Sequence, residues 1–538
     1  MAAAERSWTD EIDGAVNGLA DPITRLLSGI VFYEVPVFGG DFPVIVAWLV
    51  AAGLFFTVWL GLVQFRRLAT ACRVLGGRYE QPGAPGEITH FQALTSAVSG
   101  TVGLGNIAGV AIAVSLGGPG ATFWMVLCGL LGMATKFAEC TLGVKYRVID
   151  ASGRVSGGPM LYLRRGLAER GLPRLGAALS LLSAVTLLFF CFFGGNLFQV
   201  NQSLEQLATV TRDHTGLFTS SGGSLLFGAA AAVMTGLVLI GGIRSIGRVT
   251  SRLVPAMALL YVAACLSVIL LHAAEVPGAL ATIGREAFSP EGVAGGVVGA
   301  LVQGFRRAAF SNEAGVGSAP IAHAAVKTRR PATEGLVALL EPFADTVVIC
   351  TMTALTIVIA GGPLYGAARA AAAGGGDPAA DRAIAEAGGD PGIAITSDAF
   401  ATALPWFPAV LTVAVLLFAF STLITWGYYG LKAWCHLFGG SNVSEQVFKC
   451  LYCLVTVAGA LLSLGTLVDL ADAFLFLAAV VNIAGLYLLA PVVRRELRLV
   501  LADVRRRDAE RARARGGPAA GGAASGRTPP EPPAPHPV

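Results

Sequence analysis

The stretch THFQALTSAVSGTVGLGNIAGVAIAVSLGG, residues 89–118, decides the architecture. It is long enough to cross a bilayer, and its only charge-capable side chain is His90 at one edge. Its middle, Gly100-Thr101-Val102-Gly103-Leu104-Gly105-Asn106, holds three glycines and an Asn in seven residues, poor material for a continuous apolar helix. Unwound backbone in hydrocarbon costs several kcal/mol per unpaired group unless it lines a protein-walled cavity. The segment therefore predicts a broken helix, with half-helix 89–99, a hinge at 100–105 and half-helix 106–117. Such a hinge presents bare N–H and C=O groups at mid-membrane, suited to the two ends of an amphiphilic solute.

A second segment repeats the pattern. Residues 293–326 contain Phe310-Ser311-Asn312-Glu313-Ala314-Gly315-Val316-Gly317-Ser318, small and polar within an apolar span. Paired broken segments at matching places in two halves point to the binding site of a secondary transporter. The rest of the composition agrees. With 54% hydrophobic and only 13% charged residues, and a mean hydropathy of +0.68, the chain reads as an all-α polytopic membrane protein. Its 68 glycines suit close helix packing. The nine cysteines are spread through or beside apolar spans and read as small apolar residues. Cys450 and Cys453 form a lone CxxC without the second pair a metal site needs.

About 11 transmembrane helices follow from apolar runs at 43–65, 89–117, 119–143, 175–205, 223–243, 251–272, 293–326, 334–360, 405–434, 445–465 and 467–491. Residues 1–42 lack a basic region ahead of an apolar run, which argues against a cleaved signal peptide. Of 38 Lys and Arg residues, six fall on the N-terminal side of the membrane, three (Lys136, Arg306, Arg307) lie inside spans, and the rest fall on the other side. Cytoplasmic loops are the basic ones, so the N-terminus is expected outside and the C-terminus inside an inner (plasma) membrane. The expected organisation is an extracellular segment 1–42 and one extra helix 43–65, then five-helix repeats 89–272 and 293–491, then a tail 492–538. Because five is odd, the second repeat enters from the opposite face and the repeats are inverted. Loop 361–403 reads as a Gly/Ala-rich extracellular excursion, 494–515 as a basic helix near anionic head groups, and 516–538 as disordered.

Six strings together resemble the alanine/glycine:cation symporter family, a branch of the amino acid–polyamine–cation superfamily. They are GTVGLGNIAGVA (100–111), GGPGATFWM (117–125), SGGPMLYL (156–163), FRRAAFSNEAGVGSAPIAHAA (305–325), EPFADTVVICTMTAL (341–355) and FSTLITWGYYG (420–430). The resemblance covers roughly 43–495 and departs at Val126, where the family's FWMW run has a second Trp. It implies a LeuT-like five-plus-five inverted repeat. It also implies sodium-coupled symport, in some members proton-coupled, of alanine or glycine by alternating access.

The residues suggest how such a solute is held. Val102, Gly103, Gly105 and Asn106 offer donors to a carboxylate at the start of the second half-helix, against the alternative of glycine-mediated helix packing. Gln199, in a polar cluster with Asn196, Asn201 and Gln202, is placed to join them, or else to make an interhelical hydrogen bond. Phe305, Ala309 and Phe310 are candidate walls of the side-chain pocket, and Glu313 a lock to Arg306 or Arg307 or a proton carrier. Thr422 and Trp426, four apart, share a helix face. In the fold that the resemblance implies, hydroxyls of this helix and carbonyls of the first broken helix hold sodium. Ser421, Thr422 and Thr101 are the candidates. The alternative is that these hydroxyls bond their own helix carbonyls. Glu341, Asp345, Asp469 and Asp472, and the pair Lys136 and Glu139, remain unassigned between gating and glue.

Other classes lack support in the sequence. There is no GxxxxGK[ST] loop for ATP, and Gly103-Leu-Gly105-Asn-Ile-Ala-Gly109 has the wrong spacing and setting for a dinucleotide. Ser311 and His323 have no third partner for hydrolysis, so no enzyme activity is expected. A channel would show a continuous polar stripe through several spans rather than localised breaks. The expected partners are a small neutral amino acid, Na+ and the lipid bilayer, with no cofactor, ATP or nucleic acid.

Overall fold

Capping, glycine and proline signals divide the chain into helices. The computed structural model describes residues 8–37, 40–212, 215–289, 296–372, 374, 392–462 and 465–514. An amphipathic helix α1 (Trp8–Val31) leads through a small hairpin, Glu34–Val37 with Gly40–Pro43, into α2 (Val44–Trp59) and α3 (Val63–Leu75). A capping box opens the next helix. The Thr89 side chain accepts from the Gln92 N–H, and the Gln92 side chain accepts from the Thr89 N–H. That helix, α4 (His90–Thr101), is followed by a 3-10 turn (Leu104–Asn106) and α5 (Ala108–Leu116), with a bend of 63°.

Then come α6 (Ala121–Lys145), α7 (Pro159–Glu169) and α8 (Pro173–Phe192), the last passing through a π segment (Phe193–Leu197) into α9 (Phe198–Thr211). Helices α10 (Ser221–Ile240) and α11 (Gly242–Leu271) complete the first half, and α12 (Val276–Glu286) links it to the second. The second half opens with α13 (Gly296–Asn312), a break, and α14 (Ala319–His323). A long helix follows, built of α15 (Pro331–Ala338), α16 (Leu340–Pro342), a π segment (Phe343–Cys350) and α17 (Thr351–Ala360). After α18 (Pro363–Ala372) and α19 (Gly392–Ala403) come α20 (Phe407–Phe438), α21 (Asn442–Gly459) and α22 (Gly465–Ala514).

Each half thus runs broken helix, long helix, long helix, shorter helix, long helix. Each also inserts short helices between its second and third members, α7 in one half and α18 with α19 in the other. Among the described residues, seven helices are long and apolar enough to cross a membrane, or nine if each of two bent pairs is one span. The other two expected spans are helical, but α13 stops after 17 residues at the second break and α21 has 18 with charged residues in its first half. Residues 373 and 375–391 of the loop read as an extracellular excursion, and the tail beyond 514, lie outside the described residues. The flanks of that loop are helices α18 and α19. The core lies where α4 meets α20, where α5 meets α19, where α20 meets α8, and where α6 meets α13 and α15.

Candidate functional site

The first break comes two residues later than the sequence suggests. Gly100 and Thr101 remain in α4, and helix resumes only at Ala108. The reason is the 3-10 turn. Asn106 folds back so that its Oδ1 accepts the Gly103 N–H at 3.1 Å, which uses the amide to shape the turn. Its Nδ2 donates to Asp345 Oδ1 at 2.7 Å. Both ends of Asn106 therefore bind protein, and it positions the break.

Gly103 has no room for a side chain. A Cβ there would lie 2.8 Å from Thr422 Oγ1 and 3.2 Å from Gln199 Oε1. Gln199 bridges back, its Oε1 accepting from the Leu104 N–H at 3.4 Å and its Nε2 donating to the Gly194 carbonyl at 3.1 Å. That carbonyl belongs to the π segment, whose extra residue per turn re-aims the side chains that follow it. A Cβ on Gly105 would meet Phe310 at 3.1 Å. Phe310 in turn contacts Phe190 and Phe198 edge-on, and Phe190 packs at 4.6 Å between centroids against Trp426. Trp426 Nε1 donates to the Gly100 carbonyl at 3.2 Å. Val102, Gly103, Gly105, Asn106, Gln199, Phe310, Thr422 and Trp426 are all buried, and all but Val102 are joined by these contacts.

An oxygen cradle forms around Ser99, a residue the sequence reading did not single out. The Ser99 carbonyl accepts from Thr422 Oγ1 at 3.2 Å and Ser421 Oγ at 3.4 Å, and Thr425 Oγ1 donates to Ser99 Oγ at 3.0 Å. Thr101 is not part of it. Its hydroxyl turns back to the Val98 and Ala97 carbonyls at 3.4 and 3.5 Å, the ordinary behaviour of a helical Thr.

Two expected pocket walls are placed elsewhere. Phe305 and Ala309 line a small cavity with Leu49, Gly53, Cys128 and Ile483, on a different face of α13 from Phe310. Glu313 does not reach Arg306 or Arg307. Both arginines pair with Asp472, at 2.8 and 3.4 Å, while Glu313 accepts from Ser318 Oγ. The positive φ of Glu313, 53°, turns the chain out of the helix and carries its carboxylate away from the arginines.

Asp345, which the sequence reading offered only as a proton carrier in the proton-coupled alternative or as gating or glue, is the polar centre. Its side chain is fully buried and accepts from Asn106 Nδ2, Ser311 Oγ and Thr346 Oγ1, each at 2.7 Å. All three donors are neutral, and a buried carboxylate with only neutral donors favours a cation nearby. A carboxylate within an apolar span was the available signal, though Glu334 and Glu341 in the same span share it. Asn201, by contrast, donates to the Leu462 carbonyl at 2.7 Å and acts as interhelical glue.

Contacts also tie the broken helices to their neighbours. Thr396 Oγ1, from α19, donates to the Ile107 carbonyl at 3.2 Å, and Ile88, just before α4, forms an isolated β-bridge with Val326, just after α14.

Comparison with known proteins bears on the family and the fold. The sodium:alanine symporter family profile matches residues 30–514. The sodium/alanine symporter AgcS of Methanococcus maripaludis is 36% identical over 425 residues, covering 78% of this chain and 86% of that protein. The probable sodium/glutamine symporter GlnT of Bacillus subtilis is 34% identical, covering 71% of this chain and 72% of its own length. The crystal structure of MhsT in complex with L-phenylalanine matches at a TM-score of 0.50 and 15% identity, covering 78% of this chain and 99% of that one, which shows the LeuT-like fold. With broken helices, a buried polar centre and a match over nearly its whole length, this chain belongs to the sodium:alanine symporter family, multi-span secondary transporters of amino acids at the plasma membrane.

Proposed function

We propose that this protein is a sodium-coupled symporter that takes up a small neutral amino acid, alanine or glycine, by alternating access. The observation that carries the reading is the crowding at the first break. Thr422 and Gln199 lie against Gly103, and Phe310 lies against Gly105, close enough that one added carbon at either glycine would collide or press. A site walled this closely suits a solute with little or no side chain. One methylene in such a pocket is worth about 1–3 kcal/mol of discrimination.

The substrate carboxylate is met by the amides of Leu104 and Gly105 and by Gln199, where a helix start offers partial positive charge. Its ammonium faces the Asp345 side of the break, where the carboxylate is held by neutral donors only. Sodium is held by the Ser99 carbonyl with the Ser421 and Thr422 hydroxyls, a hard-oxygen set. Val102 contributes backbone, and Trp426 walls the pocket. Ion binding between α4 and α20 locks the broken helix to its partner and so completes the amino-acid site. The basic loops support an N-terminus outside and a C-terminus inside, and two sets of five spans, each opening on a broken one, support an inverted repeat with one extra helix.

The test is uptake of radiolabelled alanine into proteoliposomes under an inward sodium gradient, with potassium in its place as control. Sodium-dependent uptake competed by glycine but not by glutamine is the expected result. Uptake that ignores sodium and follows a pH gradient would replace the coupling ion. A folded protein that moves glutamine and not alanine would overturn the substrate.

A further inference from the structure

Away from the central cluster, the end of the bundle bearing the basic loops holds a chain of buried ionisable groups that solute binding does not use. His90, the first residue of α4, sets its Nδ1 against Glu334 Oε2. His323, the last residue of α14, sets its Nδ1 2.6 Å from Glu334 Oε1, and its Nε2 lies 3.6 Å from Glu341 Oε2. Lys136 Nζ, on α6, lies 3.1 Å from Glu341 Oε1. His323, Glu334, Glu341 and Lys136 are fully buried and His90 nearly so.

Charge counting shows what this chain requires. Lys136 balances Glu341. Glu334 then remains, with one imidazole on each oxygen and, among the described residues, no other cation paired with it. An unbalanced carboxylate at that depth costs several kcal/mol, so at least one imidazole carries a proton while the group is assembled. The other ionisable groups facing it do not remove that need. Glu139 accepts from Asn482 Nδ2 at 2.6 Å, and Glu313 accepts from Ser318. Both would add negative charge if ionised. Cys140 on α6, Tyr429 on α20 and Glu80 before α4 bring no positive charge. Arg147 faces Glu334 from the loop side, but its guanidinium donates to the carbonyls of Pro85, Ala324, Val326 and Thr328 at 2.6–2.8 Å.

The same three segments carry the closure of this end. The Glu87 and Ile88 amides donate to the Ala325 carbonyl at 2.7 and 3.2 Å, and the Lys327 amide donates to the Ile88 carbonyl at 2.9 Å. These bonds tie the start of α4 to the segment after α14, directly beside His90 and His323. An opening that separates α4 from α14 and α15 would take His90 off Glu334 and let water reach both imidazoles.

We infer that His90, Glu334 and His323 form a proton-binding latch that seals the basic end of the transporter, so that closing the end takes up a proton and opening it releases one. The sign follows from linkage. The closed form binds more protons, so acid favours closure, and the stabilisation is lost as pH rises through the histidine range. The latch does not depend on which solute or ion the central site carries.

Hydrogen exchange of the purified full-length protein reads the latch without transport. The amides of Glu87, Ile88 and Lys327 report closure, and each rate is divided by its intrinsic exchange rate at that pH. Between about pH 5 and 8 their protection should fall as pH rises, by up to about tenfold per pH unit, while peptides within α20 stay flat. In His323→Gln and in His90→Gln proteins the slope should flatten. Protection that does not change with pH in the unmodified protein overturns the latch, as does an undiminished slope in a folded variant. If neither variant folds, the profile of the unmodified protein decides alone.

Discussion

The two broken spans are built from opposite chemistry. The first, between α4 and α5, is neutral: its backbone bonds to Asn106 and Gln199, the Thr422 hydroxyl and the Trp426 indole bond to the end of α4, and the nearest carboxylate, Asp345, is screened by three neutral donors. The second, between α13 and α14, turns through positive φ at Glu313, Gly315 and Gly317 and adjoins ionisable partners: Ser318 on Glu313, Asn482 on the Gly315 carbonyl and Glu139, and His323 on Glu334. The difference follows from what each must do. On the proposed function, the first break meets a zwitterion and sodium with backbone and side-chain dipoles and the single carboxylate of Asp345. A seam that must close and reopen needs partners that are strong when assembled and satisfied by water when apart.

The largest effect is expected where the neutral break meets its carboxylate. Asp345→Ala leaves the Asn106, Ser311 and Thr346 donors facing a cavity, at a cost of about 3 kcal/mol or roughly a hundredfold in sodium-driven uptake. Asp345→Asn keeps the shape and removes the charge, so wild-type sodium affinity in that protein would show that the first break needs no anion. The glycines sharpen the comparison next. Gly103→Ala forces its Cβ toward Thr422 and should cost about 1–3 kcal/mol in transport, with a small change in melting temperature. Gly317→Ala, at φ 90° and with its Cβ 2.9 Å from Pro159, should cost a similar amount as lost thermal stability. If the two glycines exchange these outcomes, the division between a binding break and a sealing break is wrong.

Smaller effects follow. Phe310→Ala opens the wall beside Gly105, and the preference for alanine over glutamine in competition uptake should fall by roughly tenfold. Thr422→Val removes one hydroxyl from the Ser99 cradle and should weaken apparent sodium affinity by about 1 kcal/mol, roughly fivefold, with little change in alanine affinity at saturating sodium. The least is expected from Thr89→Ala, which deletes the cap of α4. It should lower stability by about 1 kcal/mol in a denaturation series and leave substrate selectivity unchanged.

Much of this was legible in the chain because it is local. Glycine and asparagine density marks both breaks. A four-residue spacing places Thr422 and Trp426 together, and both do reach the end of α4, at the Ser99 and Gly100 carbonyls. What was misread depends on the rotation of a helix about its axis. Phe305 and Ala309 are one turn apart and share a face, but that face turns to Leu49 and Ile483, while Phe310 one residue on turns to Gly105. Arg306 and Arg307 are near Glu313 in sequence, yet their partner is Asp472, more than 160 positions away. Thr101 lies inside the expected hinge but stays helical, because the turn begins two residues later.

The sequence by itself determined the class of molecule, the helical spans, the two breaks and the family, because hydrophobic length and backbone propensity act within a few residues. Only the tertiary structure decided that Asp345 closes the first break, that Ser99 supplies the oxygen of the cradle, and that His90 and His323 share Glu334. Each of these is a choice of partner for a buried polar group, and only the packed helices show which donor lies within reach of which acceptor.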